Sequence, residues 1–135
     1  MLGDWGLERR LDDHRTGLTG ELVGQASVAL HPTAEGRAAT YTEAGDLRFG
    51  SHVSSATRRL EIEALPDGSV LLRFADGRPF ITLDLRKGES QGVHECGADR
   101  YELLTVVRGV NVIEERWQVS GPAKRYTART TLTRL

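Results

Sequence analysis

Residues 58–74 read Arg58-Arg59-Leu60-Glu61-Ile62-Glu63-Ala64-Leu65-Pro66-Asp67-Gly68-Ser69-Val70-Leu71-Leu72-Arg73-Phe74. Leu60, Ile62 and Ala64 alternate with charged residues, Pro66-Asp67-Gly68 interrupts them, and Val70, Leu72 and Phe74 resume the alternation. Successive side chains of a strand point to opposite faces, so a period of two broken by turn residues reads as two strands and a hairpin. The same period runs upstream through Leu22, Ala26, Val28 and Leu30. Further punctuation falls at Thr33-Ala34-Glu35-Gly36, Ala75-Asp76-Gly77, Lys87-Gly88-Glu89, Arg108-Gly109 and Gly121-Pro122, which leaves little room for a helix. Strands are predicted near residues 5–13, 20–31, 37–44, 46–50, 54–65, 69–75, 79–85, 91–96, 100–108, 110–120 and 126–134. Consecutive strands on tight turns pair antiparallel, and such a sheet keeps two open edges unless it closes on itself. The expected fold is all-β: a single up-and-down antiparallel β-barrel over residues 1–135. Two packed sheets would satisfy the same spacing.

Composition narrows the function. Eighteen Lys and Arg against nineteen Asp and Glu give a formal charge of -1, so no net field draws the chain to nucleic acid or an anionic membrane. The single cysteine can form neither an internal disulfide nor a CxxC metal clip. The opening residues lack the basic and apolar regions of a signal peptide, and no apolar run nears the ~18 residues of a membrane span. A soluble, cytoplasmic protein is expected. Neither a GxGxxG after a strand nor a phosphate-binding Gly-rich loop is present, so no nucleotide, flavin or other cofactor is expected.

Alternation also assigns faces. If Leu60 and Ile62 face inward, Arg58 and Ala56 do too, while Thr57, Arg59, Glu61 and Glu63 face water. The same parity groups Arg9 with Trp5, Leu7 and Leu11, and Tyr41 with Ala39 and Glu43. Interior charge is costly unless paired or serving a ligand. Glu43 is therefore expected either to pair with Arg58 or Arg9, or to share a ligand site with them. Two arginines against one glutamate leave a surplus positive charge, which favours a carboxylate, enolate or phosphate on a ligand.

Other polar residues are less decisive. His94 and Cys96 share a strand face about 7 Å apart, too far for a direct nucleophile–base contact. Metal binding would need ligands from unlinked positions such as His14, His31, His52 or Asp99, and no metal site is expected. His94 reads as a hydrogen-bonding interior residue or as a general acid or base near neutral pH. Tyr101 and Tyr126 each follow a charged residue, Asp99 and Lys124, by two positions; packing with a satisfied hydroxyl is the plainer role. Lys124 reads as a solvated turn lysine, Trp117 as core beside Ile113 and Val119, and Asp76-Gly77 as a hairpin turn.

Taken in order, Trp5 and Arg9, Tyr41-Thr42-Glu43-Ala44-Gly45, Asp76-Gly77-Arg78-Pro79-Phe80, His94-Glu95-Cys96-Gly97-Ala98-Asp99-Arg100-Tyr101 and Trp117-Gln118-Val119-Ser120-Gly121-Pro122-Ala123-Lys124-Arg125-Tyr126 make a combination. The chain thereby resembles, over essentially its whole length, a bacterial and fungal domain family of unknown function. The resemblance implies a lipocalin-like, or calycin-like, β-barrel. Two departures stand out. The family pattern has a histidine where this chain has Ile81, and aromatic residues where it has Leu60 and Ile62. The expected cavity is accordingly more aliphatic, suited to a bulkier apolar ligand.

Three functions compete. In the first, the barrel binds a small, partly apolar metabolite, with Arg9, Arg58 and His94 fixing its polar end and Leu60, Ile62, Ile81 and Trp117 lining the rest; Glu43, Tyr101 and Tyr126 complete the candidate site. In the second, by analogy of fold, the cavity belongs to a cofactor-free cyclase, isomerase or cycloaddition catalyst of specialised metabolism, with Arg58, Tyr41 and His94 as catalytic groups. In the third, the interior polar residues satisfy only one another. The sequence leaves the oligomeric state open; a homodimer through strand edges or an outer apolar face is the usual arrangement for a small barrel.

Overall fold

Every regular element is a strand in the computed structural model, which describes residues 1–33 and 36–135. In chain order these are β1 (Gly3–Asp13), β2 (Thr19–Thr33), β3 (Gly36–Phe49), β4 (His52–Ala64), β5 (Val70–Phe74), β6 (Pro79–Leu83), β7 (Glu89–Cys96), β8 (Asp99–Val107), β9 (Val112–Ser120) and β10 (Arg125–Arg134). They form one sheet in the order β6-β5-β4-β3-β2-β1-β10-β9-β8-β7. Each strand pairs antiparallel with its chain neighbour, and β1 pairs with β10 to join the two ends of the chain. The result is a nearly closed barrel. Its seam lies between β6 and β7, where no ladder forms among the described residues. There Ile81 sits so close to Gly92 that a Cβ on the glycine would lie 2.7 Å from Ile81 Cγ1, and Ser90 Oγ accepts a hydrogen bond from Asp84 N at 3.0 Å.

The expected break at Ala44-Gly45-Asp46 does not occur: residues 36–49 run as one strand, giving ten strands rather than eleven. Gly45 is the register partner of Gly24 on β2. A Cβ on Gly24 would lie 2.1 Å from the Ala44 carbonyl oxygen, and one on Gly45 would lie 2.5 Å from that of Val23. These glycines mark a close approach of two backbones inside the sheet. The turn expected at Ala34-Glu35 lies outside the described residues. Asp76-Gly77 does form the β5–β6 turn: Gly77 has φ +89°, and Asp76 Oδ1 accepts from Arg78 N at 3.0 Å.

Trp5, Leu7, Leu22, Ala26, Val28, Leu60, Leu103, Ile113 and Leu132 fill the barrel. Parity holds along each strand except at β6. There the register shifts between Leu72 and Arg73, and the neighbours Phe80 and Ile81 are both buried, as a bulge allows. One barrel end is sealed. The Trp5 indole donates to Met1 O at 2.9 Å, and the Arg134 guanidinium lies 4.3 Å from the centre of the Trp5 ring. The β1–β2, β3–β4, β5–β6, β7–β8 and β9–β10 turns surround the opposite end, where the interior reaches solvent.

Candidate functional site

The interior charges come from four strands whose alternation leaves them no outward choice. Arg9 (β1), Tyr41 and Glu43 (β3), Arg58 (β4) and Glu115 (β9) all lie on inward positions, flanked by apolar neighbours two residues away. Glu43 is the hub. Arg9 donates from Nη1 to Oε2 at 2.9 Å and from Nη2 to Oε1 at 2.7 Å. Tyr41 OH donates to Oε1 at 2.6 Å, and Arg58 Nη2 donates to the same oxygen at 2.8 Å. Arg9 Nε donates to Thr130 Oγ1 at 2.7 Å. Glu43 thus pairs with both arginines at once.

These contacts set the protonation states. Burial alone would raise the Glu43 carboxyl, but hydrogen bonds from Arg9 and the fields of Arg58 and Arg9 outweigh it and hold it at about 2. Burial pushes the Tyr41 hydroxyl well above its ordinary range, and the negative charges of Glu115 and Glu43 add to this. Burial works against the charge on Arg9, yet bonding to Glu43 raises its pKa further. At neutral pH Glu43 is a saturated anion and Tyr41 a neutral donor committed to it. Neither is free to move a proton.

Glu115 corrects the charge count. It lies between Ile113 and Trp117 on the inner face, accepts from Trp117 Nε1 at 3.2 Å, and acts electrostatically on Arg9 and Tyr41. Among the described residues two inward arginines are balanced by two inward glutamates, which offsets the surplus positive charge expected from the sequence. The signal was present in the alternation Ile113-Glu115-Trp117-Val119. Thr130 was equally legible between Ala128 and Leu132, opposite Arg9 in register.

Toward the open end lies a pocket of about 130 Å³ lined by Arg9, Leu11, Arg58, Phe80, Tyr101, Trp117, Tyr126 and Ala128. Of the sequence-predicted site, this brings together Arg9, Arg58, Tyr101, Trp117 and Tyr126. Tyr41 and Glu43 support Arg58 and do not line the pocket. Leu60 and Ile81 are buried in the core and Ile62 packs against it; none of the three lines the pocket. Phe80, which the bulge hid from parity, stacks on Trp117 at 5.6 Å between ring centres. The His94 ring packs edge-on against Phe80 (5.1 Å) and Phe74 (5.7 Å). It makes no hydrogen bond among the described residues, in place of the expected interior hydrogen bond, because aromatic rings surround it.

Arg58 keeps unpaired donors among the described residues. Its guanidinium lies 5.8 Å from the Tyr41 ring centre and 5.9 Å from that of Trp117. Among the described residues it hydrogen-bonds through Nη2 alone and its buried Nε has no partner, and its side chain stays 32% exposed, against 10% for Arg9. At the rim, Lys124 Nζ donates to Tyr101 OH at 2.9 Å and lies 3.4 Å from Asp99 Oδ2. The lysine expected in solvent therefore ties β8 to the β9–β10 turn. The arrangement can do one thing chemically: offer a fixed guanidinium to an oxygen atom at the end of an aromatic-walled pocket.

Residues 1–134 match a family described as a family of unknown function (DUF6314). Comparison with curated proteins finds no match. Among solved structures, the fold is similar to the S-type phycobiliprotein lyase CPES from Guillardia theta, with a TM-score of 0.72 and 10% sequence identity. That likeness covers 99% of this chain and 88% of the other. It shows a calycin-like barrel fold.

Proposed function

The chain belongs to that family of unknown function, and we propose that it is a small-molecule-binding β-barrel whose pocket holds the carbonyl or carboxylate end of a partly apolar metabolite. The observation that carries this reading is Arg58, which lines a pocket walled by Phe80, Tyr101, Trp117 and Tyr126 while a single hydrogen bond among the described residues holds it to Glu43. Ligand sites typically combine such apolar and aromatic walls with few convergent polar groups. With the interior charge balanced, recognition is local. One oxygen-bearing group meets one guanidinium, and a multiply charged anion is disfavoured. The volume of about 130 Å³ is below the roughly 300–1,000 Å³ of sites that enclose a drug-sized molecule. A head group enters, and the rest of the ligand lies across the rim at Lys124 and His94.

The second reading, a cofactor-free cyclase, isomerase or cycloaddition catalyst, uses the same pocket. It is favoured by the same uncommitted donors, which would stabilise negative charge growing on a carbonyl oxygen. With Tyr41 committed to Glu43, Arg58 alone would carry that role. Likeness in fold to a phycobiliprotein lyase is compatible with either reading and selects neither.

Thermal shift against a panel of aromatic and aliphatic monocarboxylates, ketones and matched alcohols tests the proposal. Saturating ligand at a hundredfold its Kd stabilises a protein by about 2.7 kcal/mol. The expected result is stabilisation by some carboxylates or ketones, none by the alcohols, and loss of the response in Arg58→Gln. An equal response in wild type and Arg58→Gln would refute the assigned anchor.

A further inference from the structure

The outer face of the barrel carries a second polar site, separate from the interior. Leu104, Arg116, Arg129 and Arg10 are successive register partners across β8, β9, β10 and β1. Three arginines therefore stand side by side on adjacent strands, roughly 5 Å apart at the backbone. Like charges directly opposite one another destabilise a sheet. Elsewhere on the surface, Arg59, Arg73, Arg78, Arg86, Arg100 and Arg108 each hold a carboxylate. Arg10 leans on Asp12 at 3.4 Å. The side chains of Arg116 and Arg129 have neither an ion pair nor a hydrogen bond among the described residues. The acidic residues nearest them in sequence and register are engaged elsewhere, Glu102 by Arg100 and Glu114 by Arg108; Glu8 forms no ion pair with Arg129.

A groove of about 570 Å³ lies over this pair, lined by both arginines, by Val93, Leu104, Gln118 and Thr127, and by the Arg100–Glu102 ion pair, whose two charges offset each other. That volume falls within the range of small-molecule sites, roughly 300–1,000 Å³. Two neighbouring unpaired guanidiniums present a local charge of two and two planar donor forks. A carboxylate neutralises one of them. A phosphate monoester, with a charge of about -1.5 to -2 at neutral pH and three acceptor oxygens, neutralises both. We propose that the β8–β10 outer groove binds a phosphomonoester, its phosphate clamped between Arg116 and Arg129 and its body resting on Val93, Leu104, Gln118 and Thr127.

Phenyl phosphate is the probe, titrated at constant ionic strength into ¹⁵N-labelled protein while backbone amide and arginine Nε resonances are followed. Saturable shifts centred on Arg116 and Arg129 are expected, with affinity falling about tenfold or more in Arg116→Gln and in Arg129→Gln. Because each variant relieves a like-charge contact, its melting temperature should equal or exceed that of the wild type. Arg58→Gln, which alters only the interior pocket, should leave phenyl phosphate affinity unchanged. The proposal is overturned by absent saturation, by unchanged affinity in both outer variants, or by a lowered melting temperature that makes these arginines structural. Loss of binding in Arg58→Gln would also overturn it, by placing the phosphate at the barrel mouth.

Discussion

Replacing Glu43 with glutamine removes one negative charge from the barrel interior while keeping its shape. In the native protein that carboxylate accepts four hydrogen bonds, three of them from guanidiniums. Its pKa falls from an ordinary 4.5 to about 2, which at about 1.4 kcal/mol per pH unit corresponds to about 3 kcal/mol of folding free energy. An independent route agrees: removing one partner of a buried ion pair typically costs about 3–5 kcal/mol, because the other charge stays buried and unpaired. Here that charge is Arg9, whose side chain is 10% exposed. Glu43→Gln is therefore expected to lose about 3 kcal/mol at pH 7, equivalent to a drop of about 10 °C in melting temperature for a chain of this size.

The pH dependence supplies a second readout. A carboxyl whose folded pKa is depressed stabilises the protein fully above its unfolded value and loses that contribution as pH falls through the folded one. Wild type should thus shed the Glu43 contribution between about pH 4.5 and pH 2, a loss the Gln variant lacks. The two stabilities should converge at acid pH, measured by urea unfolding with circular dichroism. The double replacement Arg9→Met with Glu43→Leu should recover only part of the loss, since it removes the buried Arg9 charge but leaves the Tyr41 hydroxyl and Arg58 without their acceptor. A Glu43→Gln cost below about 1 kcal/mol at pH 7, or one that persists undiminished at pH 2, would refute the reasoning.

Arg58→Gln should cost less, about 1–2 kcal/mol by urea unfolding, because Arg9 and Tyr41 continue to satisfy Glu43. Thr105→Val should stabilise the protein by about 1 kcal/mol, since Thr105 Oγ1 is buried without a partner among the described residues and valine removes that desolvated hydroxyl; a lower melting temperature would show the hydroxyl to be bonded. Gly24→Ala should destabilise by about 3 kcal/mol or prevent folding, because its methyl would meet the Ala44 carbonyl oxygen at 2.1 Å. Unchanged stability in that variant would show that the β2–β3 approach relaxes freely.

How much of this was legible in the sequence depended on whether parity survives. It survives along β1, β3, β4 and β9, so the inward placement of Arg9, Tyr41, Glu43 and Arg58 could be read from neighbours two residues away, and Glu115 and Thr130 could have been. It fails at β6, where the register shift places Phe80 and Ile81 together inside; a bulge depends on pairing across strands and leaves no local mark. Gly45 was misread because glycine marks turns and close backbone approaches alike, and only its partner Gly24 tells them apart. Pairing of Glu43 with either arginine could be anticipated from charge. That both reach it, leaving Arg58 with donors to spare, depends on barrel curvature. The division of Leu60 and Ile81 into core and Tyr101 and Tyr126 into pocket depends on where packing leaves space.

The central claim is that Arg58 anchors a small molecule at the barrel mouth. Its most direct test is native mass spectrometry of wild type and Arg58→Gln side by side, each purified, incubated with a cellular metabolite extract and then released by denaturing extraction. The account predicts a defined mass on the wild type, carrying a carbonyl or carboxylate, that is absent from a folded Arg58→Gln. An identical mass on both proteins, or no bound mass on the wild type, would contradict it.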